Sequence, residues 1–383
     1  MKKYRAIIIL LIQIFVVIKS YSCTFFYVAS DDKVLFGSNE DWISADSYIW
    51  YLPSEKDSYG CVFFGFELFP GEKVPFCGMN EKGLVFDTGL SSDKCYAGEN
   101  SGETYPGNIF YKILKECATI DEVLKILNRY NNIQTEYGNS EIIIGDKHGN
   151  SIIIDCGIIG EKTNAIQISP DDSKAENPCK QYTITYNMIK ESDEISIDLF
   201  KRILANTHIE LNNIVTAYSA IFDLRKNEIY VYLFHNYMEE IVIDLNKELK
   251  NGNRTVELYT LFPQNIAIED FKLLQRDELV KKKNKRMAKY VSAEDLQHFS
   301  GKYINPYNLN DTIVIENEDD KIYLVNNKDI KNELFPESEN KLFMVRSNGD
   351  FSFSKYKENA NHKTILNIEY EFFGLQIPYE RIE

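Results

Sequence analysis

The feature that most constrains this chain is the order of its strand-like and helix-like segments. Apolar or alternating runs bounded by turn residues predict strands from Thr24 to about Asp87, and again around residues 141–155 and 216–245. Residues 108–131 and 180–206 have helical spacing instead. Strands, helices, strands, helices and strands in this order are typical of two packed antiparallel sheets with helices grouped outside. We therefore expect an α+β fold in this part of the chain.

Local signals place several of these elements. Asp31-Asp32 separates two strand-like runs, and Asp146-Lys-His-Gly149 separates two isoleucine-rich runs, so each predicts a hairpin. Thr119-Ile-Asp-Glu122 has the pattern of a capping box and predicts the start of a helix. Residues 180–206 are expected to form two helical pieces.

The C-terminal part has a different pattern. Residues 266–297 are charged and helical in spacing, and they contain the basic run Lys281-Lys-Lys-Asn-Lys-Arg286, which is either a solvated face of a linker helix or a docking patch. Short, evenly spaced strands follow, separated by Asn, Asp, Gly and Ser. They predict a small all-β barrel-like domain over residues 298–383.

The first residues resemble a secretory signal peptide. Three positive charges in Met1–Arg5 precede an apolar run over Ala6–Ile18, and the small residues Ser20 and Ser22 stand at −3 and −1 of a cut before Cys23. The apolar run is too short for a bilayer span, which needs about 20 residues. We expect residues 1–22 to be removed and the protein to be secreted or periplasmic. The alternative is a lipoprotein anchored through a lipidated Cys23.

Composition excludes several functions. The net charge of −15 makes the surface repel phosphate, so we expect no nucleic-acid partner. The sequence has no Walker loop, dinucleotide glycine fingerprint or G-x-S-x-G elbow, and its five histidines lack zinc-like spacing. No further stretch is apolar for long enough to span a membrane. We therefore expect no cofactor, no metal and no membrane span.

Cleavage before Cys23 would place a thiol and a free α-amine on one residue. The α-amine has a pKa of about 7.7–8.0, so part of it is a neutral base near neutral pH. It can accept the proton of the thiol, directly or through one water, so that Cys23 supplies nucleophile and base without a histidine. Such a site still needs oxyanion donors and a carboxylate that orients the amine.

Asp41 is the candidate for that carboxylate. It lies in Gly37-Ser-Asn-Glu-Asp-Trp42, after the second predicted strand, so a hairpin that begins at Cys23 returns the chain to its start near position 41. A turn or cap residue is the alternative role for Asp41.

Three motifs in order resemble one family. Cys23-Thr-Phe-Phe, Phe36-Gly-Ser-Asn-Glu-Asp-Trp42 and Gly78-Met-Asn-Glu-Lys-Gly-Leu84 look like the choloylglycine hydrolase and penicillin V acylase group, and Thr216–Asp223 is similar to a later strand of its acyltransferase-like branch. The resemblance covers residues 23–265. It implies a four-layer αββα N-terminal-nucleophile hydrolase sandwich and hydrolysis of a linear amide of an N-acylated small molecule through an acyl-enzyme on Cys23. Relatives often assemble, so a homo-oligomer is one alternative.

The resemblance also assigns roles and shows departures. Cys23 matches the nucleophile, Asp41 the carboxylate near the amine, and Asn39 a motif residue that we group with the substrate or oxyanion contacts. Ser91 is the candidate oxyanion donor where the family has Asn, and Ser38 replaces the family's Arg. These departures leave open a catalytically weak member that binds acylated ligands.

The cysteine count fits this assignment. Seven is odd, and a secreted chain meets oxidising conditions in which cysteines pair. Either six cysteines pair and Cys23 stays reduced as the nucleophile, or several others remain buried free thiols.

Overall fold

The computed structural model describes residues 23–42, 46–69, 72–90, 102–133, 140–164, 166–169, 178–210, 214–263, 299–305, 308–318, 321–325, 331–338, 340–344, 349–358, 361–370 and 375–382. The predicted signal peptide, the whole linker segment 266–297 with its basic run, and Ser91 lie outside these residues. Within them, no helix combines the length and the apolar character that crossing a bilayer requires.

Residues 23–263 contain two antiparallel sheets. Their strands, in chain order, are β1 (Thr24–Ala29), β2 (Val34–Trp42), β3 (Ser47–Leu52), β4 (Cys61–Phe69), β5 (Glu72–Asn80), β6 (Leu84–Leu90), β7 (Ser140–Asp146), β8 (Ser151–Asp155), β9 (Ile158–Ile159), β10 (Gln167–Ser169), β11 (Val215–Asp223), β12 (Glu228–Leu233), β13 (Ile241–Asp244) and β14 (Arg254–Glu257). The first sheet has the order β10-β1-β2-β11-β12-β13, and the second has the order β14-β3-β4-β5-β6-β7-β8-β9.

Four helices of eight or more residues are described beside these sheets: α1 (Ile109–Glu116), α2 (Ile120–Arg129), α3 (Lys180–Lys190) and α4 (Ile197–Thr207). A short helix, α5 (Leu245–Glu248), and two 3-10 turns, Leu249–Asn251 and Leu258–Leu261, follow β13. The capping box forms as the sequence predicts, because Thr119 caps α2 and Glu122 reaches back to the cap.

Three clusters of buried side chains show where each element packs. One cluster joins α1 and α2 to the second sheet, and a second joins α3 and α4 to the first sheet. The third lies between the sheets and contains Cys23, directly before the first residue of β1, with Phe25 and Tyr27 of β1 and Val62 and Phe64 of β4. Successive residues of β1 and β2 therefore face either the helices or the other sheet, as the period of two in a strand requires.

The C-terminal residues form a closed eight-stranded barrel. Its strands are β15 (Gly301–Asn305), β16 (Asn308–Glu318), β17 (Lys321–Val325), β18 (Lys331–Ser338), β19 (Lys341–Met344), β20 (Gly349–Glu358), β21 (Asn361–Tyr370) and β22 (Leu375–Arg381). Its core is a separate cluster drawn only from residues 299–379 and includes Phe299, Leu342 and Leu366. Closure pairs β15 with β22 and so leaves no free strand edge.

Candidate active site

Cys23 directly precedes β1 and lies between the two sheets. Its exposed fraction is 7 %. Its Sγ contacts Glu40 Oε2 and the backbone oxygen of Asp41, each at 3.7 Å. The predicted hairpin explains this position, since Thr24 pairs with Asn39 and the next residues along β2 return beside the start of β1.

The alternation of β2 divides its polar residues between two environments. Phe36 and Trp42 belong to the core between the sheets, whereas Leu35 packs among the helices α3 and α4. By the same alternation, Ser38 and Glu40 face the second sheet, and Asn39 and Asp41 face the helices. The two carboxylates next to the nucleophile therefore lie on opposite faces of one strand.

Glu40 is the carboxylate that the thiol contacts directly. Its side chain is fully buried, and its Oε1 accepts a hydrogen bond from Ser38 Oγ at 3.0 Å. Two residues of the second sheet, Cys77 on β5 and Asp87 on β6, approach it so closely that potential ligand atoms of all three lie within 4.8 Å of one another. Four polar or ionisable side chains therefore meet next to Cys23.

The electrostatics of this cluster favour protonated groups. Burial raises the pKa of Glu40 to about 7, with the hydrogen bond from Ser38 acting in the opposite direction. Burial, and then the charge of Glu40, raise the pKa of Asp87 well above its usual range. Burial also raises the pKa of the Cys23 thiol, and Glu40, Asp41 and Asp87 raise it further. The thiol is therefore protonated at neutral pH in this environment.

Asp41 is held on the helix-facing side of β2. Its Oδ1 accepts a hydrogen bond from Thr216 Oγ1 at 2.5 Å, and the two residues are directly paired across β2 and β11. Its Oδ2 is buried and has no hydrogen-bond partner among the described residues. Burial raises the pKa of Asp41 well above its usual range, and the bond from Thr216 opposes this shift. The carboxylate of Asp41 thus has one oxygen available for a further donor.

Asn39 is part of a buried network that ties β2 to its neighbours. Its Nδ2 donates to Leu204 O at 3.0 Å and Thr207 Oγ1 at 3.1 Å, both on α4. Its Oδ1 accepts from Ser219 Oγ at 2.6 Å and from Tyr237 Oη at 3.4 Å. Both amide hydrogens of Asn39 are therefore donated to groups within the fold. This side chain, which we grouped with the oxyanion contacts, stabilises the packing of β2 in the structure.

Sequence reasoning named some of these residues and missed others. Cys23 and Asp41 come together as neighbours of one hairpin, and Ser91 lies outside the described residues. Glu40, Cys77 and Asp87 were missed. A signal existed for Asp87 alone, because this acidic residue directly follows the apolar run Leu84-Val-Phe on a buried strand.

Aromatic side chains pack around the cluster on the side between the sheets. Trp42 stacks on Phe66 with ring centroids 5.1 Å apart, and Phe76 meets both rings edge-on. Tyr218 lies against Phe66, with centroids 5.8 Å apart, and its hydroxyl is 3.9 Å from Cys77 Sγ. Phe66 and Tyr218 are buried, so these rings contribute to the core.

The cysteines divide into two groups. Among the described residues, Cys23, Cys61, Cys77 and Cys117 are buried free thiols. Cys156 is disulfide-bonded. The expectation that all six cysteines other than Cys23 pair is therefore wrong. The alternative of several buried free thiols is the one the structure shows, because buried cysteine packs as a small apolar side chain.

Comparison with known proteins gives the following similarities. No family model matches the chain, and no curated protein matches it. The fold is similar to those of two variants of the conjugated bile acid hydrolase from Clostridium perfringens, each at 18 % identity and a TM-score of 0.45 over 61 % of this chain and 95 % or 96 % of theirs. It is also similar to penicillin V acylase from Agrobacterium tumefaciens, at 15 % identity and a TM-score of 0.37 over 61 % of this chain and 90 % of that one. These proteins represent the family that the sequence motifs resemble. At such TM-scores the likeness carries no argument about chemistry, which has to come from the site.

Proposed function

We propose that this chain is an amide hydrolase that uses Cys23 as an N-terminal nucleophile. The observation that carries the proposal is the position of Cys23, whose thiol lies between two sheets and contacts both Glu40 Oε2 and the backbone of Asp41. Removal of residues 1–22 in a secreted or periplasmic protein would give this residue its free α-amine. The substrate class is a linear amide of an N-acylated small molecule.

The layers support the same assignment. Helices α1 and α2, the second sheet, the first sheet, and helices α3 and α4 follow one another through three buried clusters. We identify this order with the four-layer αββα sandwich that the motifs imply for residues 23–265. Residues 266–297 are the linker in this proposal, and residues 298–383 form an accessory barrel domain.

In the proposed reaction, the sulfur of Cys23 attacks the amide carbonyl while the thiol proton passes to the α-amine of the same residue. Because the environment keeps the thiol protonated, this transfer must accompany the attack of sulfur on the amide carbonyl rather than precede it. The carbon–sulfur bond forms, the carbon–nitrogen bond breaks, and the amine leaving group takes the proton. Water then hydrolyses the thioester, releasing the acid and restoring the thiol.

Asp41 has the position of a residue that orients the amine. Its Oδ1 is fixed by Thr216, while its buried Oδ2 has no partner among the described residues and is free to accept from an ammonium group. An ammonium at the start of β1 would satisfy this oxygen and lower the pKa of the carboxyl group, since an opposite charge favours ionisation.

The proposal is tested by comparing the mature protein with Cys23→Ser and Cys23→Ala on a panel of N-acyl amides that includes bile-acid conjugates and penicillin V. We expect turnover of at least one substrate, and its loss in both variants. Cys117→Ala is the matched control, because Cys117 is also a buried free thiol but packs against the helices α1 and α2. Full turnover by Cys23→Ala would overturn the proposal.

A second candidate is a catalytically weak protein that binds acylated ligands. One observation favours it: carboxylates surround the thiol and raise its pKa, and Ser38 supplies no positive charge there. Rapid turnover of any substrate in the panel would exclude this candidate. Binding of an N-acyl amide without turnover would establish it.

A further inference from the structure

Three side chains with metal-binding atoms converge between the sheets. Cys77 and Asp87 are directly opposite each other on β5 and β6 of the second sheet. Glu40 reaches them from β2 of the first sheet, and the potential ligand atoms of all three lie within 4.8 Å of one another. Each of the three residues is fully buried. A thiol and two carboxylates from three strands therefore surround one interior point.

Asp87 provides an independent reason to expect a ligand at this point. Both of its carboxylate oxygens are buried, and neither has a hydrogen-bond partner among the described residues. Burying a carboxylate without a partner is costly, and native proteins normally pair such a group or let it coordinate a metal. The groups around Glu40 are the hydroxyl of Ser38, the thiols of Cys23 and Cys77 and the carboxyl group of Asp87, and none of them is a cation.

We propose that Glu40, Cys77 and Asp87 bind one zinc ion. Zinc accepts both thiolate and carboxylate ligands, at about 2.3 Å and about 2.0–2.2 Å, whereas calcium and magnesium take oxygen ligands. A tetrahedral ion with these bonds separates its ligand atoms by roughly 3.3–3.8 Å. Atoms that already lie within 4.8 Å of one another reach this spacing by small side-chain rotations.

The ligands of this site are all anionic when they bind, so a divalent cation neutralises most of their charge. Cys77 binds as a thiolate and releases its proton to solvent, and both carboxyl groups bind as carboxylates, so binding releases protons and tightens as pH rises. Three negative ligands then surround two positive charges. The fourth tetrahedral position is left to water or to another group, as in zinc sites that have three protein ligands.

Neighbouring groups are placed to hold the ligands. Ser38 Oγ fixes one oxygen of Glu40 at 3.0 Å, and the hydroxyl of Tyr218 lies 3.9 Å from Cys77 Sγ. In metal sites, hydrogen bonds of this kind orient the side chains that bind the ion and set their basicity. Histidine and cysteine spacing along the chain does not reveal this site, because its three ligands come from three strands of two different sheets.

The experiment uses the whole secreted protein, stripped with a chelator and then titrated with zinc or with cobalt(II) as a spectroscopic probe. We expect one ion per chain and a sulfur-to-cobalt charge-transfer absorption. Cys77→Ser should abolish that absorption, and Asp87→Asn should weaken zinc binding at least tenfold. Cys61→Ser is the matched control, because Cys61 is a buried free thiol on β4 outside this cluster, and it should bind as the parent does.

Cys23→Ala separates this site from the proposed catalytic function, since it should retain zinc and the charge-transfer absorption whether or not the protein is a hydrolase. Circular dichroism verifies that each variant is folded. Binding of less than a tenth of an equivalent by the folded parent protein would overturn the proposal. An unchanged cobalt spectrum in folded Cys77→Ser would overturn it too.

Discussion

The chemistry of the site depends on which face of β2 each residue occupies. Asp41 was the carboxylate that sequence reasoning placed near the nucleophile, and the chain indeed returns there. Its carboxylate, however, is held by Thr216 on the helix-facing side, whereas Glu40 contacts the thiol between the sheets. A shift of one residue along a strand changes the face and therefore the role of the side chain.

Glu40 should make the stability of the chelator-treated, metal-free protein depend on pH. Its pKa in the folded state is raised from 4.5 to about 7, so the folded protein binds more protons than the unfolded chain between these values. The stabilisation is therefore fully present below about pH 4.5 and is lost as pH rises through about 7, with a slope of about 1.4 kcal/mol per pH unit for one such group.

Glu40→Gln should remove the contribution of Glu40 to the slope of unfolding free energy against pH. Free energies of unfolding from denaturant titrations at pH 5, 6 and 7 measure the effect, and Glu116→Gln on the exposed face of α1 serves as the control. A parent protein and a Glu40→Gln variant with the same pH dependence would contradict this role of Glu40.

Thr216 should be important because it fixes Asp41. Thr216→Val keeps the shape of the side chain but removes the 2.5 Å hydrogen bond to Asp41 and the acceptor of the Ile209 backbone N–H, which together should cost about 1–3 kcal/mol of unfolding free energy. Thr255→Val, at an exposed position of β14, should change stability by less than about 0.5 kcal/mol. Equal stabilities of the two variants would show that Asp41 does not depend on this bond.

Local signals predicted the elements well where the interactions are themselves local. The hairpin around Asp31-Asp32 forms between β1 and β2, and the hairpin around residues 146–149 forms between β7 and β8. In the barrel, strands that follow one another along the chain pair as neighbours, as the predicted succession of short strands requires, whereas the pairing of β15 with β22 joins the two ends of the domain and has no local signal. The convergence of Glu40, Cys77 and Asp87 was equally invisible, because it joins two sheets across the core.

The cap of α2 gives a prediction at this scale. Thr119→Ala removes the hydrogen bond from the backbone of Glu122 to the Thr119 side chain and breaks the capping box. It should cost about 1 kcal/mol, within a usual range of about 0.5–2 kcal/mol. Thr119→Ser retains the hydroxyl and should recover most of that loss in the same denaturant titration. An unchanged stability in Thr119→Ala would mean that other contacts fix the start of α2.

In the whole molecule, the barrel has a core of its own. The buried cluster drawn from residues 299–379 includes no residue of the two-sheet part. We therefore expect two cooperative transitions in calorimetry. Leu342→Ala should lower the midpoint temperature of the barrel transition only. It should reduce the unfolding free energy of the barrel by about 2–5 kcal/mol, because Leu342 is fully buried in the barrel core. Ile143→Val, in the core between the sheets, should lower the midpoint temperature of the other transition. Coupled shifts of both transitions would contradict independent units.

Mass spectrometry of the protein recovered from its host decides whether Cys23 is the nucleophile. The intact protein is mixed with its fastest N-acyl amide substrate, quenched in acid within the first turnovers and digested. The account predicts a chain that begins at an unmodified Cys23 and, in the quenched sample, an acyl group bound as a thioester to that residue. A chain that begins elsewhere, a diacylglycerol on Cys23, or an acyl group on any other residue would contradict it.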